Sequence, residues 1–313
     1  MKLLIYTGCL ACLIYLQSCG GAMIKNKSSD TVKAAAKAGA RTNIPVPVAT
    51  DNLTIKDAKD LTGYWVGRFE ADTNIEAVYA GDHRVWDYAN KINISIDTID
   101  SEKVIGHSIV AGNFRPFKGT MKKDGPTYKF SVKEPGDDKY DGAFSFSIAE
   151  RDSVISGIWK ANGRLRISAR KYSLKKRLFN YNANQPIDYR FMDERKKKAQ
   201  SYKDDDGKTY TDTAYLSTTD DIRKYNPSAG LLTKNQVANL KKADILILRN
   251  SIYARHGYSF KKLPLREYFD QQEWYIPIST NVTHELTPIE KQNITLLLRY
   301  EKNAKEYYDT FGR

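Results

Sequence analysis

The stretch DILILRNSIYARHGYSF, residues 244–260, decides the fold of the C-terminal part of the chain. At about 100° per residue, its apolar side chains recur on one broad face, which predicts an amphipathic helix over Ala243–His256. Gly257 follows at the point where a helix commonly ends in a left-handed residue. The residues that share the predicted inner face are Ile245, Leu248, Arg249, Ile252, Tyr253 and His256. Those predicted to lie mostly opposite are Asn250, Ser251 and Ala254.

Helix signals continue on both sides of this stretch. Thr233 is placed to cap a short helix before it, and Pro264 fits the first turn of a helix after it. Thr287 and Glu290 form a capping box around a proline, which predicts the start of a last helix. We therefore predict a compact helical domain over residues 231–313.

The same part of the chain carries a family resemblance. The run Arg249–Phe260 resembles the defining motif of the YARHG domain, and Trp274, Tyr275 and Asn293 fall in blocks that agree with the family's downstream pattern. The resemblance covers residues 231–301. It implies a bacterial module outside the cytoplasm, often found on secreted or lipid-anchored proteins. It implies no established activity or ligand, so it assigns no catalytic residue.

Two interpretations of the motif's polar residues are open. In the structural one, His256 donates to a helix-end carbonyl, and the arginines stack on Tyr or Trp and pair with acids such as Asp244 or Glu273. In the binding one, the same residues form a surface patch that stacks on sugars and grips carboxylates, both of which an envelope glycan such as peptidoglycan supplies. The candidate residues are Arg249, Asn250, Tyr253, Arg255, His256, Gly257, Trp274 and Tyr275.

The sequence contains no recognisable catalytic motif. All three Cys lie within the first 19 residues, which excludes a cysteine nucleophile or cysteine metal site after Cys19. The tripeptide Arg255–Gly257 matches the nucleophile motif of histidine phosphatases, but it ends a predicted helix instead of following a strand, and only His284 remains downstream. We expect no enzyme, no cofactor and no metal ion. An unrecognised hydrolase is the remaining alternative. Its two catalytic carboxylates could be far apart in sequence, so no local motif would identify them.

Upstream of the helical domain, the hydrophobic period changes from helical to alternating. Isoleucines alternate with polar residues over Ile92–Asp97, and similar patterns recur at Tyr128–Val132 and Phe144–Ile148. Further strands are predicted at Gly63–Ala71, Lys103–Ala111, Phe114–Lys122, Val154–Lys160 and Leu165–Tyr172. About eight strands joined by tight turns predict an antiparallel barrel or sandwich over residues 60–175. The fold class is therefore α+β with two domains.

The first predicted strand opens with Gly63-Tyr64-Trp65, which is similar to the Gly-X-Trp of lipocalin-like barrels. The resemblance implies that Trp65 packs across the base of a barrel and that Arg164 or Arg166 covers it. It also implies an interior that either holds one small ligand or is filled by side chains. We expect a filled interior.

Residues 176–230 are polar and are predicted to connect the two domains with some local structure. An acidic run at residues 204–206 precedes Gly207 and invites comparison with a calcium loop. In that alignment Tyr202 and Thr213 fall where carboxylates are needed. The calcium loop is excluded, and a solvated turn is predicted instead.

The N-terminus carries the signals of export. Residues 1–18 combine one lysine, a short apolar run and small residues, as a secretory signal peptide does. Leu16–Cys19 resembles the lipobox of bacterial lipoproteins, which implies cleavage before Cys19 and a lipid on its thiol, although Gln17 departs from the usual small residue. Residues 19–59 predict a flexible tether. An uncleaved anchor, or a signal peptide cut elsewhere, is the alternative.

Together these observations predict an exported bacterial lipoprotein, anchored at the outer membrane through Cys19 and facing the periplasm or the surface. The formal net charge of +13 is spread along the chain, and with an export signal present no nucleic-acid partner is expected. The predicted role is non-catalytic binding or structural support, with the YARHG module in contact with peptidoglycan, another glycan or an envelope protein. A barrel that carries a small apolar ligand is the alternative.

Overall fold

The computed structural model describes residues 55–72 and 89–304, all within one compact unit of the chain, Pro47–Arg313. The predicted signal peptide, the lipid site at Cys19 and nearly all of the predicted tether lie outside the described residues. Among the helices of the described ranges, none is long and apolar enough to cross a membrane.

Eight antiparallel strands close a barrel in the described part of the chain. They are β1 (Gly63–Ala71), β2 (Asn90–Asp100), β3 (Lys103–Val110), β4 (Asn113–Asp124), β5 (Thr127–Lys133), β6 (Gly142–Ala149), β7 (Val154–Ala161) and β8 (Ala169–Arg177). Each strand pairs with its neighbours in sequence, and β1 closes the ring on β8. The predicted antiparallel fold is confirmed, as a barrel and not a sandwich. The strand predicted at Leu165–Tyr172 lies instead at Ala169–Arg177, and residues 166–167 form a bend before it.

Alternate strand residues point inward and fill most of the barrel. The interior aromatic rings that pack on one another include Phe69, Phe144, Trp159 and Tyr172. At the base, Trp65 is fully buried, and its indole Nε1 donates to the carbonyl of Leu61 at 2.9 Å. The cation near its ring is Lys176, whose Nζ lies 5.8 Å from the centroid. Arg164 and Arg166, expected there, precede β8 and line a cavity at the other end of the barrel.

Four helices form the C-terminal domain within the described residues. They are α1 (Lys234–Ala238), α2 (Lys242–Arg255), α3 (Leu263–Asp270) and α4 (Pro288–Glu301). Thr233 and Thr287 cap α1 and α4 with capping boxes, and Gly257 follows α2 with a φ of +75°, all as predicted.

Helix α2 is buried on every side except one narrow, half-buried stripe. The predicted faces are wrong in part. Arg249 and Tyr253, expected to point inward, lie on the half-buried stripe, whereas Asn250, Ser251 and Ala254, expected to lie opposite the core, are buried. The reason is that neighbouring segments surround this helix, so no single face is left to water.

The predicted polar connection is more ordered than its composition indicates. It contains a two-stranded hairpin, β9 (Met192–Lys203) and β10 (Thr209–Ser217), closed by the largely exposed acidic turn. Four of the connection's apolar residues are buried in the same core as α2, namely Ile187, Phe191, Leu216 and Ile222. The core of the helical domain therefore begins well before residue 231. These four residues are widely spaced in a largely polar stretch, so no sustained hydrophobic period marks them.

The barrel and the helical domain share a hydrogen-bonded interface. The ammonium of Lys91 on β2 donates to the carbonyls of Gln272 and Tyr275 at 2.7 and 3.1 Å. The side chain of Asn93 donates to the carbonyl of Pro277 at 2.9 Å. Burial lowers the pKa of Lys91 to about 8. Strand β2 is thus tied by buried polar bonds to the segment that follows α3.

We expect Gly257→Ala to destabilise the protein far more than Gly207→Ala. The two glycines have φ values of +75° and +77°, so either alanine carries similar backbone strain, about 1–2 kcal/mol. A Cβ at Gly207 meets nothing within 4 Å, whereas one at Gly257 lies 2.9 Å from the carbonyl oxygen of Ile276 and collides with the side chain of Ile278. That collision adds about 1–3 kcal/mol. Urea denaturation of both variants measures the difference, and equal losses contradict the close contact at Gly257.

Candidate functional site

The candidate residues of the motif lie on α2, at its end, and in the segment after α3. The buried ones are Asn250, Arg255, His256, Gly257, Trp274 and Tyr275. Arg249 and Tyr253 are half-buried. The structure brings these residues together inside the domain. Because most of the candidate residues are buried, they do not form the surface patch that the binding interpretation requires.

Arg255 ties α2 to two upstream segments and is only 3% exposed. Its Nε and Nη2 donate to the carbonyl of Gln185 at 3.2 and 2.9 Å. Its Nη1 donates to the hydroxyls of Ser228 and Ser251 at 3.2 and 3.1 Å. Burial lowers the pKa of Arg255 to about 10, so the side chain is still charged at neutral pH. Four hydrogen bonds hold this charge in the interior as a structural crosslink.

His256 forms a cluster with Glu290, which is buried like the histidine, and with Tyr181, which is partly exposed. Its Nε2 lies 2.8 Å from Oε2 of Glu290, and its ring stacks on Tyr181 with centroids 4.3 Å apart. The hydroxyl of Tyr181 donates to the other oxygen of Glu290 at 3.1 Å. Burial raises the pKa of Glu290, but hydrogen bonds from His256, the backbone of Thr287 and the hydroxyl of Ser228 outweigh it and lower the pKa to about 2. The partner of His256 is this carboxylate and not the expected helix-end carbonyl.

The expected partners of the other arginine also differ. Arg249 forms a two-bonded ion pair with Glu301 at the end of α4, with Nε–Oε2 and Nη2–Oε1 distances of 2.8 and 3.2 Å. Asp244 accepts instead from the backbone and hydroxyl of Thr219 at 2.6 and 3.1 Å, and Glu273 is exposed. The ion pair joins the middle of α2 to the end of α4, two positions that sequence spacing does not relate.

The polar atoms of Trp274 and Tyr275 also form hydrogen bonds within the protein. The indole Nε1 of Trp274 donates to the carbonyl of Pro186 at 2.9 Å, and the hydroxyl of Tyr275 donates to the carbonyl of Tyr258 at 2.6 Å. Asn250 donates to a carbonyl one turn earlier in α2, at 2.7 Å. Since the motif's polar atoms bond to the protein itself, the geometry favours the structural interpretation.

A cavity of about 630 Å³ opens at the end of the barrel away from Trp65. Aromatic side chains in its lining include Phe69, Phe144 and Trp159. Polar residues of the strands that line it include Asn90, Ser108, Arg115 and Arg170, joined by Glu134 just after β5. The interior of the barrel thus changes from apolar to polar at this open end. Sequence analysis did not identify these residues, although a polar residue in the inward phase of β2, β3 and β4 is a readable signal.

Neighbouring groups satisfy two of these polar residues. Glu134 accepts from the hydroxyl of Ser108 at 3.0 Å and from the amide of Gly142 at 2.7 Å. Burial raises the pKa of Glu134, and the hydrogen bonds only partly oppose this. The Nε of Arg115 donates to Oδ1 of Asp141 at 3.0 Å. Both residues therefore belong to the framework of the open end.

Arg170 and Asn90 are bound less completely. The guanidinium of Arg170 lies 5.1 Å from the ring centroid of Phe69, and its Nη1 donates to the carbonyl of Phe69 at 3.3 Å. Asn90 is 9% exposed, and its Oδ1 has no hydrogen-bond partner among the described residues. Both side chains therefore have bonding capacity left for a ligand.

Within residues 55–72 and 89–304, no group of three or more His, Cys, Asp or Glu is arranged to hold a metal ion. Residues 222–302 match the family model of the YARHG domain. The match confirms the resemblance seen in the motif and begins at Ile222, one of the buried residues of the predicted connection. No curated protein and no solved structure matches the chain.

We expect Glu290→Gln to make the protein less sensitive to acid. A carboxyl whose pKa is about 2 in the fold, below its ordinary 4.5, stabilises the fold above pH 4.5 and loses that effect as the pH falls towards 2. The loss amounts to about 3 kcal/mol. Glutamine keeps the hydrogen-bonding shape but does not titrate, so the variant is less stable at neutral pH and loses less stability below pH 4.5.

Urea denaturation between pH 6 and 2 measures this difference. Glu285→Gln is the matched control, because Glu285 is exposed on the segment before α4. If wild type and Glu290→Gln lose the same free energy of unfolding over this range, the hydrogen-bonded carboxylate of Glu290 does not stabilise the fold.

Proposed function

We propose that this YARHG-containing protein is a lipid-anchored component of the bacterial cell envelope, that it binds a small ligand at the open end of its barrel, and that it catalyses no reaction. Cys19 carries the lipid, and the tether at residues 19–59 holds the folded part at the outer membrane. The YARHG domain at residues 222–302 supports this cellular location, since such a module is typical of envelope-associated proteins.

The observation that carries the binding role is the cavity of about 630 Å³ at the open end. Cavities of roughly 300–1,000 Å³ hold small ligands in proteins, usually with apolar walls and a few polar groups that fix orientation. This one has aromatic rings in its lining, and it has polar side chains with unused bonding capacity at Arg170 and Asn90.

The YARHG domain serves as the rigid support of this site. Its motif residues Trp274 and Tyr275 hold the segment whose carbonyls receive Lys91 and Asn93. Both of these lie on β2, the strand that also brings Asn90 to the cavity. The domain therefore sets the position of one wall of the binding site without contacting the ligand through its motif.

A groove favours a second candidate function, contact with peptidoglycan, another glycan or an envelope protein. It has a volume of about 620 Å³, and its lining includes Phe114 and Asp137 from the barrel and Tyr258 and Lys261 from the YARHG domain. It shares Arg115 with the cavity. Aromatic and charged side chains along an open groove suit an extended polymer, which stacks on rings and bonds to charges.

We expect protein purified gently from its own host to carry a bound small molecule, visible by native mass spectrometry. Val110→Trp fills the cavity and should remove the bound mass, because Val110 lies in the cavity lining. Val154→Trp is the matched control, since it adds the same bulk at the closed end of the barrel, beside Lys175.

A wild-type protein that repeatedly shows no added mass contradicts the small-ligand role. If wild type is instead retained on purified cell wall and Phe114→Ala is not, the groove and the second candidate function are favoured. Arg255→Ala and Trp274→Ala serve as a further comparison. Folded forms of these variants should be retained like wild type, because both side chains are buried.

We expect Cys19→Ser to release the protein from the membrane fraction, because a serine cannot take the lipid and the chain loses its anchor. Metabolic labelling with a palmitate analogue, followed by fractionation, measures both events. Cys9→Ser is the control, since Cys9 lies inside the predicted signal peptide. Equal labelling of Cys19→Ser and wild type overturns the lipid site.

A further inference from the structure

We propose that the ligand of the barrel cavity is an amphiphilic anion, with a carboxylate or phosphate head group on Arg170 and an apolar body against the aromatic rings. This inference rests on the proposed function, in which the open end of the barrel is the binding site. It replaces the purely apolar ligand that the lipocalin-like resemblance implies.

Arg170 occupies an inward-facing position of the barrel. On β8 the side chains of Tyr172 and Leu174 are buried and those of Lys171 and Ser173 are exposed, so the inward row continues to Arg170. Its cross-strand neighbour on β7 is Trp159, which also lines the cavity. An arginine in this row places a positive charge directly above the aromatic interior.

The charge of Arg170 lacks the partners that buried arginines normally have. A guanidinium has five N–H donors, and here one of them has a bond, at 3.3 Å, to the carbonyl of Phe69. No carboxylate among residues 55–72 and 89–304 lies within ion-pair distance of it. Burial, followed by the charge of Arg266, lowers the pKa of Arg170 to about 10, which leaves it cationic at neutral pH. Arg170 is half-buried at the cavity, and a partly desolvated cation without a counterion is stabilised by an anion.

Two other arginines of this protein have more partners for their guanidinium groups than Arg170 has. Arg115, in the same cavity, is paired with Asp141 at 3.0 Å. Arg255, in the YARHG domain, makes four hydrogen bonds to a carbonyl and two hydroxyls. Arg170 has neither arrangement. Planar oxyanions match the donor geometry of a guanidinium, which selects carboxylate and phosphate among possible head groups.

Asn90 adds a second, independent requirement. Its Oδ1 is a buried acceptor without a partner in the described residues, and Asn90 stands opposite Phe69 in the β1–β2 register. The ring under Arg170 therefore lies beside this acceptor. A ligand that carries a hydroxyl or amide donor near its anionic head satisfies both groups at once.

The test uses four C10 probes with different head groups, measured by isothermal titration calorimetry below their aggregation concentrations. These are decanoate, decyl phosphate, decanol and decyltrimethylammonium. We expect wild type to bind the two anions at least about tenfold more tightly than decanol, because a charged hydrogen bond is worth about 1.5–3 kcal/mol. The ammonium probe should bind most weakly. The two anionic probes distinguish a carboxylate ligand from a phosphate ligand.

Arg170→Met should weaken decanoate binding about tenfold to a hundredfold and leave decanol binding unchanged. Arg170→Lys keeps the positive charge but not the planar guanidinium. Its affinity for decanoate should therefore lie between those of wild type and Arg170→Met. Lys103→Met is the matched control, because it removes one exposed positive charge at the closed end of the barrel. Asn90→Leu should abolish any advantage of 3-hydroxydecanoate over decanoate.

The stability of the ligand-free variant separates a binding role from a structural one. A methionine removes a half-buried, unneutralised charge, so Arg170→Met should unfold at the same urea concentration as wild type or at a higher one. An Arg170→Met protein that is destabilised and still prefers anions overturns the inference. Decanol binding as tightly as decanoate also overturns it but leaves the proposed function intact. If wild type binds none of the four probes, both the inference and the small-ligand role fail.

Discussion

Helix α2 is buried on every side except one narrow stripe, and its polar side chains therefore need partners inside the protein. Arg255 bonds to the carbonyl of Gln185, and His256 bonds to the carboxylate of Glu290. These bonds determine where the chain runs after the barrel and how the first turn of α4 is placed. Leaving one charge of such a set unpaired costs roughly 3–5 kcal/mol, so the packing around α2 follows from its polar groups as much as from its apolar ones.

The same requirement extends from the YARHG domain to the barrel. The segment after α3 is held by the indole of Trp274 and the hydroxyl of Tyr275, and its backbone carbonyls are then free to accept from Lys91 and Asn93 of β2. Backbone carbonyls are good acceptors only when they are held in place, because a mobile segment loses entropy when it binds. The motif thus acts on the barrel indirectly, by ordering the acceptors that β2 needs.

Local features of the fold could be predicted from the sequence, and long-range polar partners could not. The alternation of apolar residues predicts the strands, and the capping residues Thr287 and Gly257 predict helix ends, since each acts within a few residues of its own position. The acid bound by His256 is 34 residues away, and the carbonyl bound by Arg255 is 70 residues away. A backbone carbonyl has no residue identity that a sequence pattern can show. The inward position of Arg170 could be read only after the true start of β8 was known.

Two arginines with similarly lowered pKa values therefore have different consequences. Burial lowers the pKa of both Arg170 and Arg255 to about 10, but Arg255 lies fully inside its domain, whereas Arg170 is half-buried at the open end of the barrel. Four hydrogen bonds within the domain offset the desolvation of Arg255. Arg170 has one hydrogen bond, to a carbonyl at 3.3 Å. A satisfied buried charge stabilises one arrangement of the chain, and an unsatisfied one next to a cavity favours any anion that can enter. By this criterion the YARHG motif belongs to the framework, and the proposed binding site belongs to the barrel.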